Sequence, residues 1–217
     1  MTTKLAIYNG ALALLSETPL SSLSENSSSR QWLDYAWDND NLVDYCLQQG
    51  QWYFATRTMK ITPSTTLVPA FGWKYAYEIP NDFCGMVGLW IDSFCNVGLQ
   101  DYMIEAGVIY SAWDVIYLKY VSNAPTYGGN LAAWPQAFAR FVQAELALLA
   151  EPSISNSPTI YQKVEMARKQ RLGIAKNNDF RDKPMDTLPL GRWTKSRIGF
   201  GLNNFGSGFY GNGVNGF

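Results

Sequence analysis

FGWKYAYEIPNDF, residues 71–83, decides how the rest of the chain is read. Trp73, Tyr75, Tyr77 and Ile79 alternate with Gly72, Lys74, Ala76 and Glu78, the period of two that a half-buried β-strand requires. Pro80 ends the strand because it has no N–H to give to a ladder, and Asn81-Asp82 supplies turn chemistry. Helical patterns precede this stretch, and further strands and then helix follow it. It therefore stands at the head of a β module inserted between two helical halves.

Working outward, QWYFATRTMKITP (residues 51–63) is rich in aromatic and β-branched residues and suits a first strand, and residues 64–70 form a turn-rich loop. Downstream, residues 86–92, 103–110 and 115–120 read as strands, with connections marked by Asn96, Gly98, Gly107 and Asp114. Residues 51–122 thus form a small antiparallel sheet or sandwich, and NAPTYGGN (123–130) is a linker.

On the N-terminal side, residues 3–17 read as a helix with Leu5, Tyr8, Leu12 and Leu15 on one face, stopped at Thr18-Pro19. A polar loop (20–29) leads to a second helix over residues 29–49, ended by Gly50. One stripe of that helix is Leu33, Ala36, Trp37, Val43 and Leu47; another is Trp32, Tyr35, Leu42 and Cys46. Two apolar faces exceed what one core requires, which assigns Trp32 and Tyr35 to contact with a neighbouring subunit. Asp34, Asp38, Asp40 and Asp44 share this helix with Arg30 as the only base. They form either a solvated face or an acidic wall presented to a partner or a channel.

On the C-terminal side a third helix opens at Trp134, with Pro135 in its first turn, and carries Trp134, Phe138, Phe141 and Leu148 toward the core. Pro152 breaks it. A fourth helix over residues 159–176 has Ile160, Val164, Ala167 and Ile174 on one side and Lys163, Arg168, Lys169 and Arg171 on the rest. The fold class is α+β: a bundle of about four helices (1–50 and 131–177), the inserted β module (51–122) and an extended arm (178–217). The end of the arm, IGFGLNNFGSGFYGNGVNGF, cannot bury enough area to fold alone. Its Phe200, Phe205, Phe209, Tyr210 and Phe217 read as anchors that order on a partner, with Arg192, Lys195 and Arg197 adding long-range attraction.

Composition limits the functions open to the chain. Eight Trp and thirteen Tyr in 217 residues are more ring area than one surface needs, and buried interfaces favour both. Net charge is −1, which gives no reason to expect nucleic-acid binding, but residues 1–167 carry −7 and residues 168–217 carry +6, a split suited to head-to-tail assembly. The absence of His removes Ser-His-Asp and Cys-His catalysis and His-ligated zinc. No phosphate-binding loop or dinucleotide fingerprint occurs, so neither cofactor nor metal is expected. A paired-carboxylate hydrolase stays open, although no pair stands out. Cys46, Cys84 and Cys95 have no metal-ligand spacing and read as small buried hydrophobes in a reducing compartment. The first residues read as neither signal peptide nor membrane anchor.

Three blocks in order resemble the tail tubular protein A and related head-to-tail adaptor proteins of short-tailed bacteriophages. They are W-x-F-A-x-R (Trp52, Phe54, Ala55, Arg57), the FGWKYAYEIPNDF strand, and a W-P-x-x-F helix from Trp134 followed by a polar hairpin and a basic helix. The resemblance covers roughly residues 1–180; the Gly/Phe tail lies outside it. It implies a non-enzymatic virion protein, made in the host cytoplasm, that forms a dodecameric ring between the portal protein and the tail nozzle. Genome DNA would pass through the ring without sequence reading, along a channel for which Asp34, Asp38, Asp40 and Asp44 are candidate lining, and the arm would reach the portal. The alternatives are a surface module of the tail binding carbohydrate or receptor through exposed aromatics, and a carboxylate-dependent hydrolase.

Overall fold

Thr3 begins the first helix by accepting the Ala6 N–H at 3.2 Å on its hydroxyl, and α1 runs Lys4–Leu15. Ser16, at φ 63°, turns the chain left-handed and closes it. The computed structural model describes residues 2–181. Asn9 then pins the following loop: its amide donates to the Leu20 carbonyl at 3.0 Å and accepts the Leu20 N–H at 2.8 Å.

The expected single helix over 29–49 is two, α2 (Ser28–Asp38) and α3 (Leu42–Gln48). The break falls at Asn39-Asp40-Asn41, three residues with side chains that compete for backbone hydrogen bonds, and Asn41 adopts φ 46°. Re-aiming α3 buries Leu42, Cys46 and Leu47 completely, so two residues of the presumed outer stripe are core. Of the three cysteines only Cys46 is fully buried; Cys84 and Cys95 are partly exposed, and all three are free thiols.

A 3-10 turn (Tyr53–Ala55), where the first strand was expected to begin, precedes β1 (Thr56–Ile61). β2 (Tyr75–Glu78) is shorter than the alternation from Phe71 implied; β3 (Phe83–Trp90), β4 (Tyr102–Glu105), β5 (Val108–Ser111) and β6 (Ile116–Ser122) follow. They form two antiparallel three-stranded sheets, β1-β6-β3 and β2-β5-β4. The sheets share a core of Ile61, Tyr77, Leu89, Leu99, Ile109, Ile116, Leu118 and Tyr120. The period of two lets β6 serve two cores at once: Ile116, Leu118 and Tyr120 enter the sandwich, and Val121 enters the helical core.

The linker after β6 makes a close approach at Gly128, where a Cβ would lie 2.4 Å from the Ser122 carbonyl oxygen. Its own carbonyl accepts the Trp134 indole N–H at 2.7 Å. α4 (Gln136–Ile154) starts two residues later than Trp134, with Pro135 as its N-cap. Pro152 does not break it, because in the last turn a missing N–H frees only the Leu148 carbonyl. The stop comes instead at Asn156, φ 46°. α5 runs Pro158–Arg181, past the expected end near residue 176, so the first residues assigned to the arm are helical. Asp179 holds this last turn by accepting the Tyr53 N–H at 2.8 Å, a tertiary contact that overrides the poor propensity of Asn177 and Asn178. Val164 and Ala175 are its buried residues, and Ile174 points outward, 47% exposed.

Candidate functional site

The first and third of the three blocks pack directly on each other, and the second reaches the first through Asp82. Trp52 is buried and donates its indole N–H to the Cys46 carbonyl at 3.1 Å. Its ring lies 4.8 Å from Phe138, which also packs on Phe54 at 4.8 Å and edge-on to Trp134 at 5.0 Å. One step away, Arg57 on β1 reaches Asp82 after β2 at 3.0 Å and stacks over Tyr127. Tyr120 and Ser122 on β6 donate to the same carboxylate at 2.9 Å and 2.5 Å. Burial pushes the Asp82 pKa up, but bonds from Ser122, Tyr120 and Arg57 prevail and hold it below the ordinary carboxylate range. The Tyr120 hydroxyl moves the other way, to about 12, through burial and then its hydrogen bond to the Asp82 carboxylate. Trp52, Phe54 and Ala55 thus pack in the helical core, while Arg57, Asp82 and Phe83 tie β1, the β2–β3 turn and β6 together; Asn81 is exposed.

Trp32 and Tyr35, expected from the sequence at a subunit contact, lie on the surface of α2. Trp32 and Tyr35 are 44% and 54% exposed and touch edge to face, their centroids 6.3 Å apart. Asp34, between them in sequence, faces inward: Tyr8 Oη donates to it at 2.7 Å, Arg30 pairs with it at 2.5 Å, and Lys4 stands 3.7 Å away. Burial, then the hydrogen bond to Asp34, pushes the Tyr8 hydroxyl far above its usual range. Asp44 accepts the Asn123 amide at 2.9 Å and ties α3 to the exit of β6. Asp38 and Asp40 are exposed at the α2–α3 corner. Asp38 has Lys4 at 3.9 Å, and Asp40 has no ion pair or hydrogen bond among the described residues. The break in the helix thus divides the four carboxylates into two internal ties and one exposed corner.

Two further features escape a reading by periodicity. In the β3–β4 loop the Asp92 carboxylate accepts the N–H groups of Asn96 and Val97, at 3.1 Å and 2.8 Å, and these bonds lower its pKa. The loop so fixed holds Phe94 out, 82% exposed. Val68 and Phe71, in the β1–β2 loop, are each 86% exposed. The second feature is a cleft of about 390 Å³ between the start of α4 and the second half of α5, with Arg140 and Arg171 in its lining and no carboxylate among the described residues that line it. An Asp-x-x-x-Asn-Val run signals the first in sequence; nothing local signals the second, because its two arginines lie 31 residues apart.

Among the described residues no group of three or more Cys, Asp or Glu is placed to hold a metal ion, and no helix is long and apolar enough to cross a membrane. The arm residues Arg192, Lys195, Arg197, Phe200, Phe205, Phe209, Tyr210 and Phe217 lie outside the described residues. Searches with this chain find no matching family model and no matching curated protein.

Proposed function

We propose that the protein is a structural adaptor of a short-tailed phage virion, forming a ring that joins the portal to the tail nozzle. The observation that carries this reading is the ordered set of three blocks, Trp52–Arg57, residues 71–83 and Trp134–Phe138, which resemble one adaptor family. Supporting it, Trp52 and Phe54 of the first block pack on Phe138 of the third, and Arg57 of the first pairs with Asp82 of the second. The exposed Trp32–Tyr35 pair supplies the apolar contact such a ring needs between subunits. In this role the protein is not an enzyme and needs no cofactor. Its acid-rich body lets DNA pass unread, since affinity for DNA comes from neutralising phosphates.

The test is the solution mass of the purified full chain, alone and with saturating portal protein. A ring in either condition supports the reading, and a monomer in both sinks it. Truncation after residue 197 leaves the body folded and weakens co-sedimentation with portal, most at high salt; unchanged binding at low and high salt would make the tail a spacer.

A further inference from the structure

Arg30, Arg57 and Arg168 each sit on a carboxylate of their own chain, Asp34, Asp82 and Glu145. Arg140 and Arg171 are arranged differently. Arg171 Nη1 donates to the Arg140 carbonyl at 3.0 Å, which fixes the second guanidinium against the base of the first. Neither has an ion pair among the described residues, and burial together with the Arg140 charge disfavours the charged form of Arg171. Arg140 is exposed and Arg171 half-buried, so among the described residues the two form a cationic pair beside the cleft with no counter-charge, where an arriving carboxylate gains charge-assisted bonds.

The lining says which anion. Gln136, Gln170 and Asn178 surround the arginines with amide donors and acceptors, and Ile174 gives an apolar wall. Amides that bond peptide groups, beside guanidiniums that fork onto a carboxylate, suit an acidic stretch of polypeptide. The described lining residues include no aromatic ring on which a base could stack, which favours polypeptide over a nucleic-acid strand. The α2–α3 corner has the required chemistry. Asp38 and Asp40 are exposed there on Asp-Asn-Asp-Asn, and Asp40 has no ion pair among the described residues. α2, which leads into the corner, also exposes Trp32 and Tyr35, and the cleft wall Ile174 is itself about half exposed.

We propose that the α4–α5 cleft is an anion seat that takes the Asp38–Asp40 corner of a second copy of this chain. Two different patches meeting in this way make a heterologous contact, which repeats until a ring closes. The inference rests on the ring reading above and names the contact that closes it.

The experiment is sedimentation velocity of the full chain, in the condition where the wild type assembles, on Arg140→Glu/Arg171→Glu, on Asp38→Arg/Asp40→Arg, and on the chain carrying all four substitutions. Arg140→Gln/Arg171→Gln is included because it removes charge without adding any, and thermal melts check that each variant folds. Each charge-reversed pair is expected to weaken self-association by about tenfold or more, and the chain carrying all four substitutions to regain assembly within about threefold of wild type. Wild-type-like assembly of both reversed pairs overturns the inference and leaves the ring reading standing. Loss in both with no recovery in the fourfold variant also overturns it, since the anion then comes from elsewhere. A wild type that never assembles sinks the ring reading first.

Discussion

Around Trp52 the helical body closes on Phe54, Phe138, Phe141 and Trp134, whereas the β sandwich has Tyr77 and Tyr120 as its largest fully buried side chains. The body core gathers residues from α1 through α5; the sandwich core has eight, on strands as short as four residues. Each fully buried large side chain contributes about 1.5–3 kcal/mol, so the sandwich has the smaller margin and opens first. Its outer strand β4 leaves Met103 and Ile104 40% and 44% exposed. The difference teaches that the sandwich depends on the junction with the body, where Val121, Asp82 and Arg57 tie it down.

The sharpest way to break that comparison is Trp52→Ala. It empties the centre of the ring cluster and should cost about 3–5 kcal/mol, enough to merge the unfolding of both regions into one early transition. Chemical denaturation followed by fluorescence and by far-UV dichroism measures it; a loss below about 1 kcal/mol would show that the cluster is not what joins the two cores.

Asp82→Asn comes next, at about 1.5–3 kcal/mol, because it weakens charge-assisted bonds from Arg57, Tyr120 and Ser122. Hydrogen exchange should rise in β3 and β6 with α1 and α4 unchanged. The pH dependence has a definite sign. The folded pKa of Asp82 lies below its unfolded value, so its contribution is full above the ordinary carboxylate pKa of about 4 and is lost as pH falls through the folded value. The stability gap between wild type and variant should therefore narrow below about pH 4, and a gap independent of pH would remove the carboxylate from this role.

Alternation and helical spacing were enough to place the α+β class, because the β module and the flanking helices differ in period and Pro80 and Gly50 punctuate them. The break at Asn39–Asn41 was equally present in the residues. It was hidden because Leu33, Ala36, Val43 and Leu47 continue an apolar stripe across it. The end of α5 was out of reach, since it depends on Asp179 meeting Tyr53, 126 residues away. The same limit applies to the sites. Exposure of Trp32 and Tyr35 follows from a surplus apolar face, whereas Asp34 and Asp44 pair with Tyr8 and Asn123, partners that spacing does not identify. Nor does it bring Arg140 to Arg171.

Asn41→Ala has a smaller expected effect and sharpens the account of the helix break. At φ 46° an L-residue other than Asn or Gly is strained by about 1–2 kcal/mol. Asn41→Gly should be within about 0.5 kcal/mol of wild type, since Gly takes this conformation freely. Thermal melts of the pair check it. Equal losses in both would mean that the Asn side chain, rather than the backbone turn, sets the corner.

Trp32→Ser/Tyr35→Ser should have the least effect on folding and the most on assembly. Both rings are about half exposed, they touch each other, and the residues beside them that enter the core are Leu33 and Ala36. Removing them takes nothing from the Trp52 cluster or the sandwich, so stability should stay within about 0.5 kcal/mol of wild type. On the proposed ring reading, covering these two rings with another copy would gain about 25 cal/mol per Å² of apolar area removed from water. Self-association, or association on the portal, should therefore weaken while the melting temperature holds. Sedimentation velocity beside a thermal melt separates the two quantities. Intact assembly with an unchanged melt would leave α2 a solvent-facing helix and move the ring contact elsewhere on the body. A large drop in melting temperature would mean that the rings belong to the fold, erasing the contrast between a packed junction and a surface held in reserve.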